Sequence, residues 1–249
     1  MQISVNEQLQ TAYKNQYKDD LKEWRSIGAK QKVKNIVQIS QGKKFGKVLE
    51  VGAGDGSILA ELDKINFAQE LYALEISESG LATIEARNLS SLKEAQLFDG
   101  YKLPYADQSF DLIILSHVLE HVEYERLILR EIKRVAKMAI IEVPKDYRFG
   151  VDKKIKHFLS YGHINLYTPS SLKFLLQSEG FTVLQELNSL YSKETFLFGQ
   201  KNQLQLIKAH LTYWAKQVLT HTPFTYINQK FINTITVLVA PNKQGLEIF

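Results

Sequence analysis

Between Lys47 and Ser57 the chain reads Lys-Val-Leu-Glu-Val-Gly-Ala-Gly-Asp-Gly-Ser, a short apolar run that breaks into alternating glycines and then into a helical pattern. That order predicts a strand, a tight turn and a helix start. Glycine alone takes positive φ without strain and leaves no Cβ between backbone and ligand. Gly52, Gly54 and Gly56 therefore mark a turn pressed against a small molecule. Glu50 and Asp55 set its chemistry. A pyrophosphate-binding turn holds negative charge on bare N–H groups, whereas two carboxylates beside the turn suit a ligand carrying an ammonium or sulfonium cation. The spacing is G-x-G-x-G followed by Ser57, one residue shorter than the G-x-G-x-x-G of a dinucleotide fold, and a turn for another nucleotide is the alternative reading of this segment alone.

Three further segments follow in register. Leu71-Tyr72-Ala73-Leu74-Glu75-Ile76-Ser77 is a second apolar run ending in an acid, and Glu75 lies 23 positions after Gly52. An α/β nucleotide fold places there the carboxylate that accepts both ribose hydroxyls. Phe98-Asp99-Gly100 comes next, then Leu103-Pro104-Tyr105-Ala106-Asp107 and the run Ser109–Ser116. The fourth segment, Ser116-His117-Val118-Leu119-Glu120-His121-Val122, sits at the C-terminal end of that run, where open α/β sheets keep their ligands.

Taken together, residues 48 to 122 resemble the class I S-adenosylmethionine-dependent methyltransferases. The glycine turn Leu49–Gly56 reads like that family's first motif, Glu75 like its ribose-binding acid, and Asp99-Gly100 with the Leu103-Pro104 loop like its adenine segment. The resemblance implies S-adenosyl-L-methionine as cofactor. It assigns Glu50, Gly52, Ala53, Gly54, Asp55, Gly56, Glu75, Ile76, Asp99, Gly100, Ser116 and His117 to cofactor binding, with Asp55 toward the ammonium, Asp99 accepting from the adenine amine and the Gly100 N–H donating to a ring nitrogen. It also implies an α/β fold, a doubly wound seven-stranded, mostly parallel sheet in the order 3-2-1-4-5-7-6, with the last strand antiparallel.

Length and composition fit one enzyme-sized unit. A chain of 249 residues with 45% hydrophobic and 23% charged content can bury one large core. Zero cysteines exclude a disulfide framework and a thiolate nucleophile or metal site, which fits a reducing, cytoplasmic setting. The start is polar, and no run approaches the roughly 18 apolar residues of a membrane helix. The formal charge of +4 is spread along the chain with no aromatic-interleaved motif, so neither nucleic acid nor membrane is expected as a partner.

Periodicity and breakers predict a single domain over 1–249: a helical cap (1–44), a cofactor-binding core (45–144), a substrate loop (145–168) and a C-terminal part with a helical insertion before the last strand (169–249). The cap reads as helical from 6 to 41, with Gly28 a candidate break and Leu21, Trp24, Ile27, Val33, Ile36 and Val37 candidate buried positions. Strands are expected over 47–51, 70–75, 95–98, 110–115, 138–143, 181–187 and 232–240. Thr168-Pro169-Ser170-Ser171 reads as the cap and first turn of a helix ending near Gly180. The insertion from Gln203 to Thr222 carries Leu204, Ile207, Leu211, Trp214 and Val218 at near-helical spacing. This stripe is expected to pack on the protein's own sheet, with a homodimer face or a membrane-surface helix as alternatives.

Acceptor specificity falls to the cap, where Tyr13, Tyr17, Trp24 and Arg25 could close over the cavity, and to the loop 145–167. That loop holds Lys145, Arg148, Lys153, Lys154 and Lys156 against Asp146 and Asp152, with Tyr147, Phe149, His157, Phe158, Tyr161 and His163. It can hold an anionic small-molecule acceptor or form a solvated lid. His163, in Gly162-His163-Ile164-Asn165, resembles a histidine found after the fifth strand in small-molecule methyltransferases and is the first candidate general base, a loop anchor being its other reading. His121 is the second. His117 and His121, four apart on what reads as a short helix and beside Glu120, also permit metal ligation, but no third ligand stands at fixed spacing and no metal is expected. Glu142 either faces the acceptor or pairs with a lysine. These residues point to methyl transfer to a hydroxyl of a sugar, nucleotide-sugar or natural product, with N- or C-methylation, or a catalytically silent cofactor- or partner-binding protein, as alternatives.

Overall fold

The computed structural model describes residues 22–147 and 150–242, so Tyr13, Tyr17, Leu21, Arg148 and Phe149 lie outside the described residues. Helix α1 (Lys22–Ile39) leads into β1 (Phe45–Val51), α2 (Ser57–Lys64), β2 (Ala68–Glu75), α3 (Glu78–Ala86), β3 (Leu92–Leu97) and β4 (Leu112–Ser116). A 3-10 turn at Leu119–His121, α4 (Glu125–Val135) and β5 (Ala139–Pro144) follow. Beyond them come a second 3-10 turn (Val151–Lys154), α5 (Ile155–Ser160), α6 (Pro169–Ser178), β6 (Phe181–Ser189), α7 (Lys193–Leu197), α8 (Gln203–Thr220), α9 (Thr225–Phe231) and β7 (Thr234–Pro241).

The strands form one seven-stranded sheet in the order β3-β2-β1-β4-β5-β7-β6. β1 pairs in parallel with β2 and β4, β4 in parallel with β5, and β7 runs antiparallel between β5 and β6. This is the order expected from the resemblance. The strands begin and end within three residues of the sequence-predicted bounds.

Two-residue alternation divides the core between the two faces of the sheet. Leu112 and Ile114 point with Val48, Leu71 and Ile140 toward α1, α2 and α3, where they meet Val33, Ile36, Leu59, Leu62 and Ile84. Ile113 and Leu115 point with Leu49, Val51 and Ile141 to the other face, against Ile128, Leu129 and Ile132 of α4 and Leu172, Leu175 and Leu176 of α6. Covered on both sides, β4 and β5 are buried at every position, which is why they read as unbroken apolar runs rather than alternating ones. Thr168 caps α6 as the sequence predicts: its hydroxyl accepts from the Ser171 N–H and the Ser171 side chain accepts from the Thr168 N–H, with Pro169 in the first turn.

Helix α1 runs through Gly28 without a break. It packs on α2 and reaches β6, β7 and α7. Val33 and Ile36 are buried as expected, but Trp24 is 40% exposed and meets Phe198 in a tilted ring contact, with centroids 5.3 Å apart. The stripe on α8 also departs from expectation. Leu204, Ile207, Leu211, Trp214 and Val218 are each more than half exposed, and only Ala209 of that helix is buried. The helix stands beside α7 and α9 rather than on the sheet, so its periodic residues face away from the core.

The tie between α1 and the sheet is Glu142. Its Oε2 accepts from Asn35 Nδ2 of α1 and from Thr236 Oγ of β7, both at 2.7 Å, and its Oε1 accepts from Ser116 Oγ of β4 at 3.3 Å. Burial alone would push this carboxyl up. The His117 imidazole and the Thr236 and Asn35 donors outweigh it, and the group sits below the usual carboxylate range. Of the two roles foreseen for Glu142, pairing with a lysine does not apply, because its oxygens are taken by uncharged donors and a histidine, whereas the residue does line the cavity at the strand ends. Glu142→Ala would strand the Asn35 amide and the Thr236 hydroxyl in the core, so it is expected to lower unfolding stability by about 3 kcal/mol or more, read as a shift of the chemical denaturation midpoint at unchanged slope.

Candidate functional site

The C-terminal ends of the parallel strands open onto a cavity of about 850 Å³. The β1 turn, Glu75 and Ile76 after β2, Phe98, Gly100 and Tyr101 after β3, Ser116 to Val118 after β4 and the face of α1 around Arg25 and Lys32 line it. The wall also includes His121, Glu142, Tyr161, His163 and Ile164, with Tyr191, Thr195 and Thr234 from the side of α7 and β7.

The β1 turn has its shape because of a close approach. Gly52 sits at φ +73°, and a Cβ built there would lie 2.5 Å from Val118 Cγ2, so no other residue fits without moving the turn after β4. The Gly52 and Ala53 N–H groups both donate to the Leu74 carbonyl of β2. Gly56, at φ +72°, opens α2 as its N-cap residue and is not part of the cavity wall.

Four acids of the expected cofactor set fare differently. Glu75 is buried and bound within its own turn: Oε2 accepts from the Gly54 N–H at 2.7 Å and Oε1 from the Ser77 N–H at 3.0 Å. Burial raises its pKa, and those backbone donors work against the rise. Asp55, expected to face a cofactor ammonium, lies in the wall with its charge already balanced. Its Oδ2 pairs with Arg25 Nε at 3.0 Å and Arg87 Nη2 at 3.1 Å, and its Oδ1 accepts from the Ser57 N–H. Asp99 is absent from the wall; its Oδ1 accepts from the Tyr101 and Lys102 N–H groups and folds the loop that presents Phe98 and Gly100.

Glu50 is the exception. It is 2% exposed, and Oε2 has no hydrogen-bond partner. Burial, with the nearby charges of Asp55 and Glu75 adding to it, pushes its carboxyl up to about 8 against the opposing pull of the Lys32 ammonium. A buried carboxyl facing the cavity with one oxygen unpartnered suits a cationic ligand.

On the far wall, His117 adopts φ +58°, a conformation rare for a residue with a Cβ, so it precedes the 3-10 turn instead of sharing a helix with His121. Its Nδ1 lies 3.4 Å from Glu120 Oε1 and its Nε2 3.5 Å from Glu142 Oε1. The loop after β5 is stapled onto this turn. The Ile164 and Asn165 N–H groups donate to the Glu120 carbonyl, and Asn165 Nδ2 donates to the carbonyls of Leu119 and Val122. The staple brings His163 against His121, with ring centroids 4.8 Å apart. Since a carbonyl only accepts, His121 Nδ1 carries the proton it donates to Gly162 O at 3.0 Å, and His163 Nδ1 donates to the buried Asp146 carboxylate at 2.6 Å. Burial holds His121 below the ordinary imidazole range. Burial works on His163 in the same direction, but the Asp146 hydrogen bond and the charges of Glu120 and Asp146 win and raise it.

Sequence reasoning treated Asp146 only as a counter-charge and did not single out Asn35, Arg87 or Asn165. Asp146 stands two residues past the end of β5, much as Glu75 closes β2, and an acid at the C-terminal end of a parallel strand is the signal that could have found it. The loop lysines behave otherwise: Lys153, Lys154 and Lys156 are exposed and line no part of the cavity.

A family model described as "Methyltransferase domain" matches residues 21–186. Demethylmenaquinone methyltransferase of Thermotoga maritima is 26% identical over 178 residues, 60% of this chain and 76% of that protein. Ajmaline N-methyltransferase of Rauvolfia serpentina is 32% identical over 102 residues, 38% of this chain and only 33% of that enzyme. Among solved structures, phosphoethanolamine N-methyltransferase 2 of Haemonchus contortus, in complex with phosphomonomethylethanolamine and S-adenosylhomocysteine, superposes with a TM-score of 0.63 at 14% identity, covering 86% of this chain and 53% of that one. The sheet order and the glycine turn define the class I methyltransferase fold. The chain belongs to the methyltransferase-domain family, and it is an S-adenosylmethionine-dependent enzyme. No helix among the described residues is long and apolar enough to cross a membrane.

The raised Glu50 group has a consequence for stability. Between the unfolded value near 4.5 and about 8 the native state holds a proton that the unfolded state has released, so stability falls as pH rises through that window and levels off above it. Glu50→Gln is expected to abolish this slope and, without ligand at pH 8, to melt about 3 °C or more above wild type by scanning calorimetry. A variant no more stable than wild type there would mean that the carboxylate is ionised and paired.

Proposed function

We propose that the enzyme transfers a methyl group to a hydroxyl oxygen of a small-molecule acceptor, and that His163, with His121 beside it, serves the acceptor proton. The observation that carries this reading is the pair of imidazoles in the cavity wall whose Nδ1 protons are held by Asp146 and by the Gly162 carbonyl, which leaves Nε2 as the basic nitrogen of each ring.

The cavity suits the cofactor on its own evidence: the unpartnered Glu50 carboxyl and the Cβ-free approach at Gly52. In this reading Glu50, rather than the arginine-paired Asp55, takes the amino-acid ammonium. Glu75 takes the ribose hydroxyls. Ile76, Phe98 and Gly100 border the adenine, and Gly52, Ala53, Gly54, Ser116 and His117 form the backbone cradle, while Asp99, Asp55 and Gly56 shape the turns that present them. Bound S-adenosylmethionine supplies a sulfonium methyl group open to in-line attack. The protein's own work is alignment, exclusion of water by α1 and the loop after β5, and removal of the hydroxyl proton.

Among the described residues, the loop lysines stand outside the wall, and the wall cation not already paired with Asp55 is Lys32, near Glu50. This favours an uncharged hydroxyl acceptor over an anionic one. The names of the Thermotoga and Rauvolfia proteins keep a second reading in view, transfer to carbon or nitrogen. His163→Ala separates the two. For a hydroxyl acceptor, kcat should fall by about 100-fold or more while S-adenosylhomocysteine affinity stays within about twofold. An unchanged kcat would favour an acceptor that needs no protein base.

A second prediction concerns the cofactor. Glu50→Gln should weaken S-adenosylhomocysteine by about tenfold or more in a calorimetric titration, since a charge-assisted pair is worth about 1.5–3 kcal/mol. For wild type, affinity should rise with pH up to about 8 as the Glu50 proton is lost, and that dependence should vanish in the variant. Equal affinities for both proteins would remove Glu50 from the cofactor site.

A further inference from the structure

We propose that Glu120, His121 and His163 bind one first-row divalent transition-metal ion in the cavity wall. The first observation is Glu120 itself. It is 1% exposed, and neither carboxylate oxygen has a hydrogen-bond partner; two imidazole nitrogens stand near it, His117 Nδ1 at 3.4 Å and His121 Nε2 at 3.9 Å from Oε1. A buried carboxylate with no donor is a costly arrangement unless a cation completes it.

The second observation is the way the two imidazoles are held. Metal-ligating histidines usually donate one ring N–H to a carboxylate or a backbone carbonyl, which fixes the tautomer and turns the other nitrogen toward the ion. Both partners are present here, Asp146 behind His163 and the Gly162 carbonyl behind His121. One candidate ligand atom from each of Glu120, His121 and His163 lies within 4.8 Å of the others. Bond lengths of about 2.0–2.2 Å call for ligand spacings nearer 3.3 Å, so binding an ion would draw these atoms together by up to about 1.5 Å.

The third is that the cluster is fixed from behind. The backbone bonds from Ile164 and Asn165 to Glu120 lock the two segments in register, and Gly162, at φ +75°, would place a Cβ 3.3 Å from His121 Nδ1. Two imidazoles, one carboxylate and no cysteine suit zinc or manganese, whereas magnesium prefers an oxygen shell. Three protein ligands leave positions open toward the cavity.

The site does not depend on the acceptor's identity, but its use in catalysis rests on the hydroxyl reading above. A hydroxyl oxygen on the ion would lose its proton to water at lower pH than in solution. Its electron pair would then form the C–O bond while the C–S pair leaves with sulfur, His163 serving as ligand when the ion is bound and as base when it is absent.

The test is a calorimetric titration of untagged, EDTA-dialysed full-length protein, without cofactor, using zinc chloride, manganese chloride and, for comparison, magnesium chloride. Zinc or manganese is expected to bind at one ion per chain more tightly than about 10 µM and to raise the melting temperature, with magnesium much weaker. Glu120→Gln and His163→Asn should each weaken binding by about tenfold or more. Asp146→Asn should weaken it to a lesser extent, and His157→Ala, on the exposed loop, should leave it unchanged. Glu120→Gln is isosteric and removes a buried unpaired charge, so its metal-free form should melt no lower than wild type; should it not fold, His163→Asn carries the test. No saturable binding below about 1 mM, or tight binding that survives these ligand substitutions, overturns the proposal. Metal binding without turnover of any hydroxyl acceptor defeats the acceptor reading and leaves the site standing. Turnover of a hydroxyl acceptor in EDTA by a protein that binds no metal does the reverse.

Discussion

The contact on which the site depends is the approach of the β1 turn to the turn after β4, where Gly52 lies against Val118 with no space for a Cβ. Those turns follow adjacent strands, since β1 and β4 pair directly from Val48↔Leu112 to Glu50↔Ile114. Because the sheet order reverses beside β1, both turns meet at the place where an open α/β sheet holds its ligand. A bulkier residue at position 52 would push away the segment 116–121, and with it Ser116, His117, Glu120 and His121. The glycine therefore sets the cofactor cradle and the position of the opposite wall together.

Buried carboxylates are the recurrent device of this cavity, and the way each is satisfied sorts them by role. Glu75 is satisfied by backbone N–H groups, Glu142 by an amide, two hydroxyls and an imidazole, and Asp55 by two guanidiniums. Each of these arrangements is complete within the described residues and gives rigidity to a turn or to the contact between α1 and the sheet. Glu50 and Glu120 are different, because they are as deeply buried yet retain oxygens with no donor. An unsatisfied buried acceptor costs stability, so these two positions are where the described fold leaves buried negative charge uncompensated.

Elements shaped by local chemistry could be read from the sequence. The apolar runs of β1, β4 and β5 are legible because strands buried on both faces carry no polar alternation. The start of α6 is legible because Thr168, Pro169 and Ser171 act on their own turn. Glu50, Glu75 and the glycines were likewise visible, since a strand end and a tight turn constrain only a few residues. What could not be read depends on distant partners. Asp55 has the right place in the motif for an ammonium, but its charge is taken by Arg25 and Arg87, which lie 30 and 32 residues away. His163 was visible as a histidine, while its neighbours Asp146 and His121 are brought to it by hydrogen bonds between two loops. The stripe on α8 has the spacing of a packed helix, but periodicity reports only that one face is apolar and not what covers it.

The staple between the post-β4 turn and the post-β5 loop explains how a cavity assembled from turns can hold side chains in fixed positions. Loops are ordinarily the least constrained parts of a fold. Here the Glu120 carbonyl takes two backbone N–H groups of the loop, Asn165 spans two carbonyls of the turn, and the Tyr167 hydroxyl lies 3.4 Å from the Leu119 carbonyl. These bonds satisfy backbone groups that no helix or strand supplies, so the two segments form one unit anchored to β4 and β5 at their roots. The imidazoles of His121 and His163 ride on that unit with their Nδ1 atoms fixed. Residues that face the cavity from α1 or from the loop near Tyr161 can consequently change without disturbing the geometry of the His121–His163 pair.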